Sequence, residues 1–194
     1  MLIKHKLQEI HFKIVYFGPS MSGKTTNLEQ IHSKIQPDLR SSMISIKTLE
    51  DRTLYFDFTQ LSMNKINGLT PRFDIYTIPG QVQYKATRKI ILQGVDGIVF
   101  VADSQISRIK DNIDSYRGLK WLLQEMNISE QDCPIVIQSN KQDLEDAMPP
   151  DILKKNLEQS DHISNYSAIA INGIGVFETL KDIIVQLGKK LVTL

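Results

Sequence analysis

Short runs of apolar, β-branched and aromatic residues alternate along this chain with longer stretches in which apolar residues recur at helical spacing. The short runs predict strands over residues 12–17, 54–61, 72–78, 97–102, 134–138 and roughly 166–171. The longer stretches predict helices over residues 24–35, 81–93, 109–126, 150–159 and 175–191. This alternation is typical of βαβ units, and it favours a largely parallel sheet with helices on both faces.

Two of the predicted strands differ from the others. The runs at 54–61 and 72–78 partly alternate apolar with polar residues, and a short loop containing Asn67 and Gly68 joins them. This pattern indicates an antiparallel pair at the edge of the sheet. The first eleven residues are compatible with an additional edge strand or with an unstructured arm. We therefore predict a three-layer α/β fold with six strands, one antiparallel edge pair and about five helices.

Composition narrows the class of protein. A chain of 194 residues with 41% hydrophobic and 23% charged residues can bury one substantial core, so we expect a single domain over residues 1–194. The net charge of +1 and the absence of a basic run argue against nucleic acid as a partner. Leu2 in place of glycine and an end without cysteine argue against a lipid anchor. The single cysteine, Cys133, is expected to be a buried thiol, and we expect a cytoplasmic protein.

A glycine-rich segment follows the first confident strand and precedes the first helix. Residues 18–25 read Gly-Pro-Ser-Met-Ser-Gly-Lys-Thr, which is the phosphate-loop pattern in the strand-to-helix context that gives it physical meaning. Backbone N–H groups and the helix N-terminus attract phosphate oxygens, Lys24 reaches the outer phosphates, and the Thr25 hydroxyl can ligate Mg²⁺. The predicted phosphate-binding residues are Gly18, Ser20, Ser22, Gly23, Lys24, Thr25 and Thr26.

A second polar motif selects the base. Asn140-Lys141-Gln142-Asp143 directly follows the strand predicted at 134–138. The Asp143 carboxylate can accept hydrogen bonds from N1–H and the 2-amino group of guanine, whereas adenine has no such pair of donors. Lys141 can lie along the base, and Asn140 can tie this loop to the phosphate loop. Ser167 and Ala168 resemble the last guanine-contact loop, in which the alanine N–H meets guanine O6.

The segment between these motifs has the features of a nucleotide switch. Thr77-Ile-Pro-Gly-Gln81 resembles the DxxGQ switch of Ras-like GTPases but carries threonine where that pattern has aspartate. The Gly80 N–H is suited to sensing the γ-phosphate and Gln81 to orienting the attacking water. The alternative for Gln81 is an exposed switch residue without a catalytic role. Since Thr77 brings no charge to the metal, Asp57 on the neighbouring strand is a further candidate.

The first switch must precede the strand at 54–61. Thr53 is the candidate to touch Mg²⁺ and the γ-phosphate, and Arg52 could stabilise the charge that develops during phosphoryl transfer. The alternative for Arg52 is a surface arginine paired with Glu50 or Asp51. The predicted metal ligands are therefore Thr25 and Thr53, with Asp57 as a third candidate.

A closer resemblance rests on four segments, namely residues 52–58, 77–81, 96–104 and 173–177. Together they resemble the MglA family of bacterial Ras-like GTPases, in which TxPGQ replaces DxxGQ, and the likeness covers roughly residues 10–190. The resemblance implies a GTP-hydrolysing, Mg²⁺-dependent switch for cell polarity and motility. It also implies an activating homodimer of the roadblock fold, MglB, and it implies that Arg52 and Gln81 are the catalytic pair.

Two other functions stay open at this point. A guanine-nucleotide-binding scaffold with negligible hydrolysis is suggested by the missing aspartate at position 77. A P-loop ATPase or kinase is suggested by the phosphate loop alone.

Overall fold

The computed structural model describes residues 1–47, 53–65, 68–80, 85–129, 131–157 and 163–192. Its strands are β1 (Leu2–Lys4), β2 (Glu9–Phe17), β3 (Ile44–Lys47), β4 (Thr53–Ser62), β5 (Thr70–Thr77), β6 (Gly97–Asp103), β7 (Ile135–Asn140) and β8 (Asn165–Ser167). Its α-helices are α1 (Lys24–Lys34), α2 (Lys85–Leu92), α3 (Ile109–Glu125), α4 (Pro150–Asn156) and α5 (Val176–Val192). The predicted α/β class, with five helices, is confirmed.

All eight strands belong to one mixed sheet. Its order is β3-β4-β5-β2-β6-β7-β8, and β1 pairs antiparallel with β2 beside this path. The pairs from β5 through β2, β6 and β7 to β8 are parallel, while β4 is antiparallel to both β3 and β5. The predicted antiparallel pair is thus confirmed. Two short strands add to the six predicted ones, since β1 forms near the N-terminus and β3 extends the edge beyond β4.

Burial on both faces explains why the central strands are so apolar. Every residue of β6 is buried, whereas β5 alternates between buried and half-buried positions. One core lies between the sheet and α2, α3 and α4 and includes Leu92, Leu119 and Leu153. The other core lies between the sheet and α1 and α5 and includes Leu28 and Leu180. The three-layer arrangement therefore follows from apolar faces that bury each other.

Several boundaries differ from the sequence prediction. The strand predicted at 166–171 is only Asn165–Ser167, because a 3-10 turn forms at Ala170–Asn172 and Gly173 then takes a left-handed conformation. The helix predicted at 81–93 is described over Lys85–Leu92, and residues 81–84 lie outside the described part of the chain. Cys133 is buried, as expected. Across the described residues, no helix has the length and apolar character needed to cross a membrane.

The sheet topology brings the predicted motifs to one edge. Because β2, β6, β7 and β8 are parallel neighbours, their carboxyl ends lie at the same edge of the sheet. The phosphate loop follows β2, and the Asn-Lys-Gln-Asp motif begins at the last residue of β7. In doubly wound sheets this edge is where ligands bind.

Candidate functional site

The phosphate loop occupies residues 18–23, between the end of β2 and the start of α1. Gly23 has φ 98°, and a Cβ on it would lie 2.2 Å from Asn140 Nδ2, so only glycine fits there without displacing the base motif. Ser22 is fully buried, and its hydroxyl has no hydrogen-bond partner among the described residues. A buried hydroxyl of this kind is suited to a ligand oxygen. Ser20 and Thr26 are half-buried beside it.

Lys24 is the buried cation of this loop. Its Nζ donates hydrogen bonds to Gly18 O at 3.1 Å and to Pro19 O at 2.6 Å. Burial, followed by the nearby charges of Arg88 and Arg108, lowers the pKa of Lys24 to about 7, although Asp57 acts in the opposite direction. A phosphate anion there would oppose these effects and favour the charged form of the lysine.

Gly80 packs directly against the phosphate loop. A Cβ on Gly80 would lie 2.2 Å from Ser20 N and 2.5 Å from Pro19 C, so any side chain there would displace the loop. The segment is held from the other side by Arg88 on α2, which donates from Nε to Pro79 O at 3.0 Å and from Nη2 to Gly80 O at 2.6 Å. The predicted γ-phosphate sensor thus lies beside the loop it is expected to serve. Gln81, the next residue, lies outside the described part of the chain.

A buried carboxylate, that of Asp57, faces Thr77, the position at which the DxxGQ pattern has aspartate. The antiparallel register that pairs Phe58 with Tyr76 brings Asp57 opposite Thr77. Asp57 is fully buried, and its Oδ2 accepts hydrogen bonds from Thr25 Oγ1 at 2.5 Å and from Thr77 Oγ1 at 2.7 Å. In turn, the Asp57 N–H donates to Thr77 Oγ1 at 2.9 Å. The carboxylate is therefore supplied by β4 instead of β5.

This donor set fits a hard divalent cation. Mg²⁺ in nucleotide sites takes one or two carboxylates, hydroxyl oxygens and phosphate oxygens, and Asp57 and Thr25 offer a carboxylate and a hydroxyl in contact with each other. Thr53 is the first residue of β4, but its side chain is not described. Arg52 lies outside the described residues. The predictions for Thr53 and Arg52 therefore remain predictions.

The base motif is tied to the phosphate loop through Asn140. Its Nδ2 donates to Ser22 O at 2.8 Å, and its Oδ1 accepts from the Ala170 N–H at 2.9 Å. One side chain thus links three segments, which are the phosphate loop after β2, the end of β7 and the turn after β8. Asp143, the predicted guanine contact, is exposed to solvent on the same loop.

The structure contradicts the predicted role of Ala168. Its N–H donates to Ser139 O at 2.9 Å, because the pairing of β8 with β7 continues one residue beyond Ser167. That N–H is committed to the sheet and is not available to guanine O6, and Ser167 is an exposed residue of β8. The residue that reaches the centre of the site is Ala170, whose Cβ is 4.0 Å from the position a Gly23 Cβ would take.

Three charged residues near the site were not predicted from the sequence. Arg88 holds the Pro79-Gly80 segment, as described above. Asp103, at the end of β6, accepts a hydrogen bond from Lys141 Nζ at 2.6 Å. Arg108 donates from Nη2 to Ser20 O at 2.8 Å. The contacts of Asp103 and Arg108 join residues 38 and 88 positions apart, so no local pattern indicates them. Arg88 lies only nine and eight residues after Pro79 and Gly80, but no motif marks it.

Comparison with known proteins agrees with this architecture. The family model described as the ADP-ribosylation factor family matches residues 1–187. Over 181 residues the chain is 47% identical to the mutual gliding-motility protein MglA of Myxococcus xanthus, which covers 93% of this chain and 92% of that protein. It is 29% identical over 189 residues to ADP-ribosylation factor-like protein 6 of Caenorhabditis briggsae (93% and 88%), and 26% identical over 159 residues to Ras-related protein Rab-5B of Plasmodium falciparum (81% and 69%).

Proposed function

The chain belongs to the MglA family of small GTPases, within the ADP-ribosylation factor-like group, and from that membership we propose that it hydrolyses GTP as a molecular switch. Members of this group generally bind guanine nucleotide and Mg²⁺. The observation that carries the proposal is the junction at Asn140, which holds the phosphate loop and the guanine motif together through Ser22 and Ala170.

In this proposal the chain's residues divide between binding and chemistry. The phosphate-loop N–H groups, Lys24 and Ser22 hold the phosphates, and Asp143 selects guanine. Thr25, Asp57 and Thr53 would hold Mg²⁺, which when bound neutralises negative charge on the phosphates. Gln81 orients the attacking water, and Arg52 stabilises the charge that develops on the transferred phosphoryl group.

Regulation by a partner is part of the same proposal. The relative from Myxococcus xanthus is named for gliding motility, and we place this chain in a comparable role, with recruitment to the cell poles and effectors of polarity or motility. A roadblock-fold homodimer like MglB would stimulate hydrolysis by ordering Arg52 and Gln81. The low intrinsic rate expected without it is typical of small GTPases.

The test has two steps. First, the purified protein is denatured and the released nucleotide is identified, where GDP or GTP is expected and adenine nucleotide would favour an ATPase or kinase. Second, single-turnover hydrolysis of GTP is measured with and without the roadblock partner. We expect slow turnover alone and faster turnover with the partner. If neither sample turns over while guanine nucleotide stays bound, the chain is a nucleotide-binding scaffold and the hydrolytic proposal is wrong.

The metal assignment leads to a separate prediction. Asp57→Asn should weaken Mg²⁺ binding by about 10- to 100-fold, the scale found when a carboxylate of a metal site's immediate surroundings is removed. The measurement is the rate of release of a fluorescent GDP as a function of free Mg²⁺. Asp74→Asn is the matched control, because Asp74 is a carboxylate on the same hairpin that contacts His11 and Gln60 instead of Thr25.

The cross-strand pairing makes this prediction sharper. Because Asp57 and Thr77 face each other, the exchange Asp57→Thr with Thr77→Asp returns a carboxylate to the site from the other strand. We expect the exchanged variant to recover part of the Mg²⁺ dependence that Asp57→Asn loses. If the GDP release rates of the Asp57→Asn and Asp74→Asn variants have the same midpoint in free Mg²⁺ concentration, Asp57 takes no part in holding the metal.

A further inference from the structure

Strand β6 lies between the two loops that form the nucleotide site. The sheet order places β6 between β2, which ends at the phosphate loop, and β7, which ends at the base motif. The register pairs Asp103, the last residue of β6, with Asn140, the last residue of β7. Asp103 therefore projects from the one strand end that has the phosphate loop on one side and the base motif on the other.

A line of polar contacts crosses this strand end. On the base side, Lys141 Nζ donates to Asp103 Oδ2 at 2.6 Å. On the phosphate side, Arg108 Nη2 donates to Ser20 O at 2.8 Å, and Arg108 Nε lies 3.7 Å from Asp103 Oδ2. The sequence of contacts runs from Ser20 through Arg108 and Asp103 to Lys141, and we call it the Arg108–Asp103 relay. It joins the two loops independently of Asn140.

The middle of the relay is held rigidly. The Asp103 side chain is 1% exposed. Its backbone is fixed by the fully buried Asn112, which accepts from the Asp103 N–H at 2.9 Å and donates to Asp103 O at 2.7 Å. Arg108 precedes α3, and its Nη1 also pairs with the exposed Asp111 one turn along. The guanidinium is thus positioned by its inner contacts with Ser20 and Asp103, and the solvent-exposed pair with Asp111 contributes little.

Resting on the function proposed above, we propose that Arg108 is a positioning residue that slows release of guanine nucleotide by bracing the phosphate loop against the base loop through Asp103 and Lys141. A nucleotide occupies both loops at once, so it leaves when their separation or orientation changes. A charge-assisted connection whose central carboxylate is buried resists that change. Arg108 touches no reacting atom in this role.

The experiment measures the dissociation rate of a fluorescent GDP in excess Mg²⁺. Arg108→Ala should raise this rate by about 10-fold or more, the scale of one lost charge-assisted hydrogen bond. Asp111→Asn is the matched control, because it removes only the outer, exposed partner of Arg108 and should leave the rate within about 2-fold of the parent. The melting temperature of each GDP-bound variant is recorded alongside.

A double variant distinguishes a relay from general loosening. Asp103→Asn breaks the same line of contacts, so combining it with Arg108→Ala should add little to the larger single effect, whereas independent sites would multiply. If the Arg108→Ala variant does not fold, the Arg108→Lys variant is measured instead. Its GDP release rate should also rise, because a single ammonium group lacks the forked N–H donors of the guanidinium that reach Ser20 O and Asp103 together.

Three results would overturn the proposal: a release rate for Arg108→Ala within about 2-fold of the Asp111→Asn control, fully multiplicative effects in the double variant, or a parental rate for Arg108→Lys. These differ from a failure of the proposed function, in which the parent chain itself would bind no guanine nucleotide.

Discussion

Asp143→Asn is expected to reverse the base preference of this protein, so that xanthosine triphosphate binds better than GTP. The carboxylate accepts hydrogen bonds from N1–H and the 2-amino group of guanine. An asparagine amide can donate to the 2-oxo group that xanthine carries at that position. Because a site built around a specific hydrogen-bond pattern rejects the wrong pattern strongly, the ratio of the two affinities should change on the order of 10⁴-fold.

The structure makes this prediction specific to one residue of the loop. Asp143 and Asp146 are both exposed carboxylates on the segment after β7. Asp146→Asn removes the same charge from the same loop and is therefore the control. Competition between fluorescent GDP and unlabelled GTP or xanthosine triphosphate gives both affinities for each variant. Unchanged GTP affinity in Asp143→Asn, or an equal change in Asp146→Asn, would mean that the base is recognised elsewhere.

The parts of the site that could be predicted from sequence are those encoded within one strand and its following loop. The strand ending at Phe17, the glycines at 18 and 23, and the helix beginning at Lys24 are consecutive, so pattern and context could be read together. The same holds for the motif that begins with Asn140 at the end of β7. The spacing of apolar residues likewise predicted the fold class. A strand or helix that is buried on one face carries apolar residues at a regular interval, and a strand that is buried on both faces is apolar throughout.

The parts that could not be predicted depend on register between distant segments. Asp57 was a candidate metal ligand from its residue type, but its contact with Thr25 and Thr77 follows from how β4 pairs with β5. Ala168 was assigned the wrong role because one further residue of β8 pairs with β7. Arg108 gave no signal at all, since its partner Ser20 is 88 residues away.

The position of Asp57 also bears on whether the chain can be catalytic. The threonine at position 77 suggested a site without its usual carboxylate, and hence a scaffold. A carboxylate on the facing strand, in contact with the Thr25 hydroxyl, removes that reason. The site then offers the carboxylate and the hydroxyl that Mg²⁺ takes in nucleotide sites, although the charge comes from β4.

Arg52→Ala is expected to slow hydrolysis stimulated by the roadblock partner by about 10³-fold, the lower end of the range for a missing arginine finger. Arg52 directly precedes Thr53, the first residue of β4, and Asp57 lies further along that same strand at the Thr25 contact. A charge that acts on the transition state alone leaves nucleotide binding unchanged, so on this proposal GTP and GDP affinities should stay within about 2-fold of the parent. Single-turnover hydrolysis at saturating partner concentration measures the effect.

Two further variants separate a catalytic arginine from a surface arginine paired with Glu50 or Asp51. Asp51→Asn removes one of those carboxylates while retaining Arg52, so it should leave the stimulated rate unchanged if the arginine acts on the phosphoryl group. Gln81 directly follows Gly80, the glycine that packs on the phosphate loop. The Gln81→Leu variant should also lose the stimulated rate of hydrolysis while it retains bound nucleotide, because leucine cannot orient water. Since both residues would act in the same transition state, combining Arg52→Ala with Gln81→Leu should cost less than the product of the single losses. A full stimulated rate in Arg52→Ala would instead leave charge stabilisation to Lys24 and the metal, and would return Arg52 to the role of a surface ion pair.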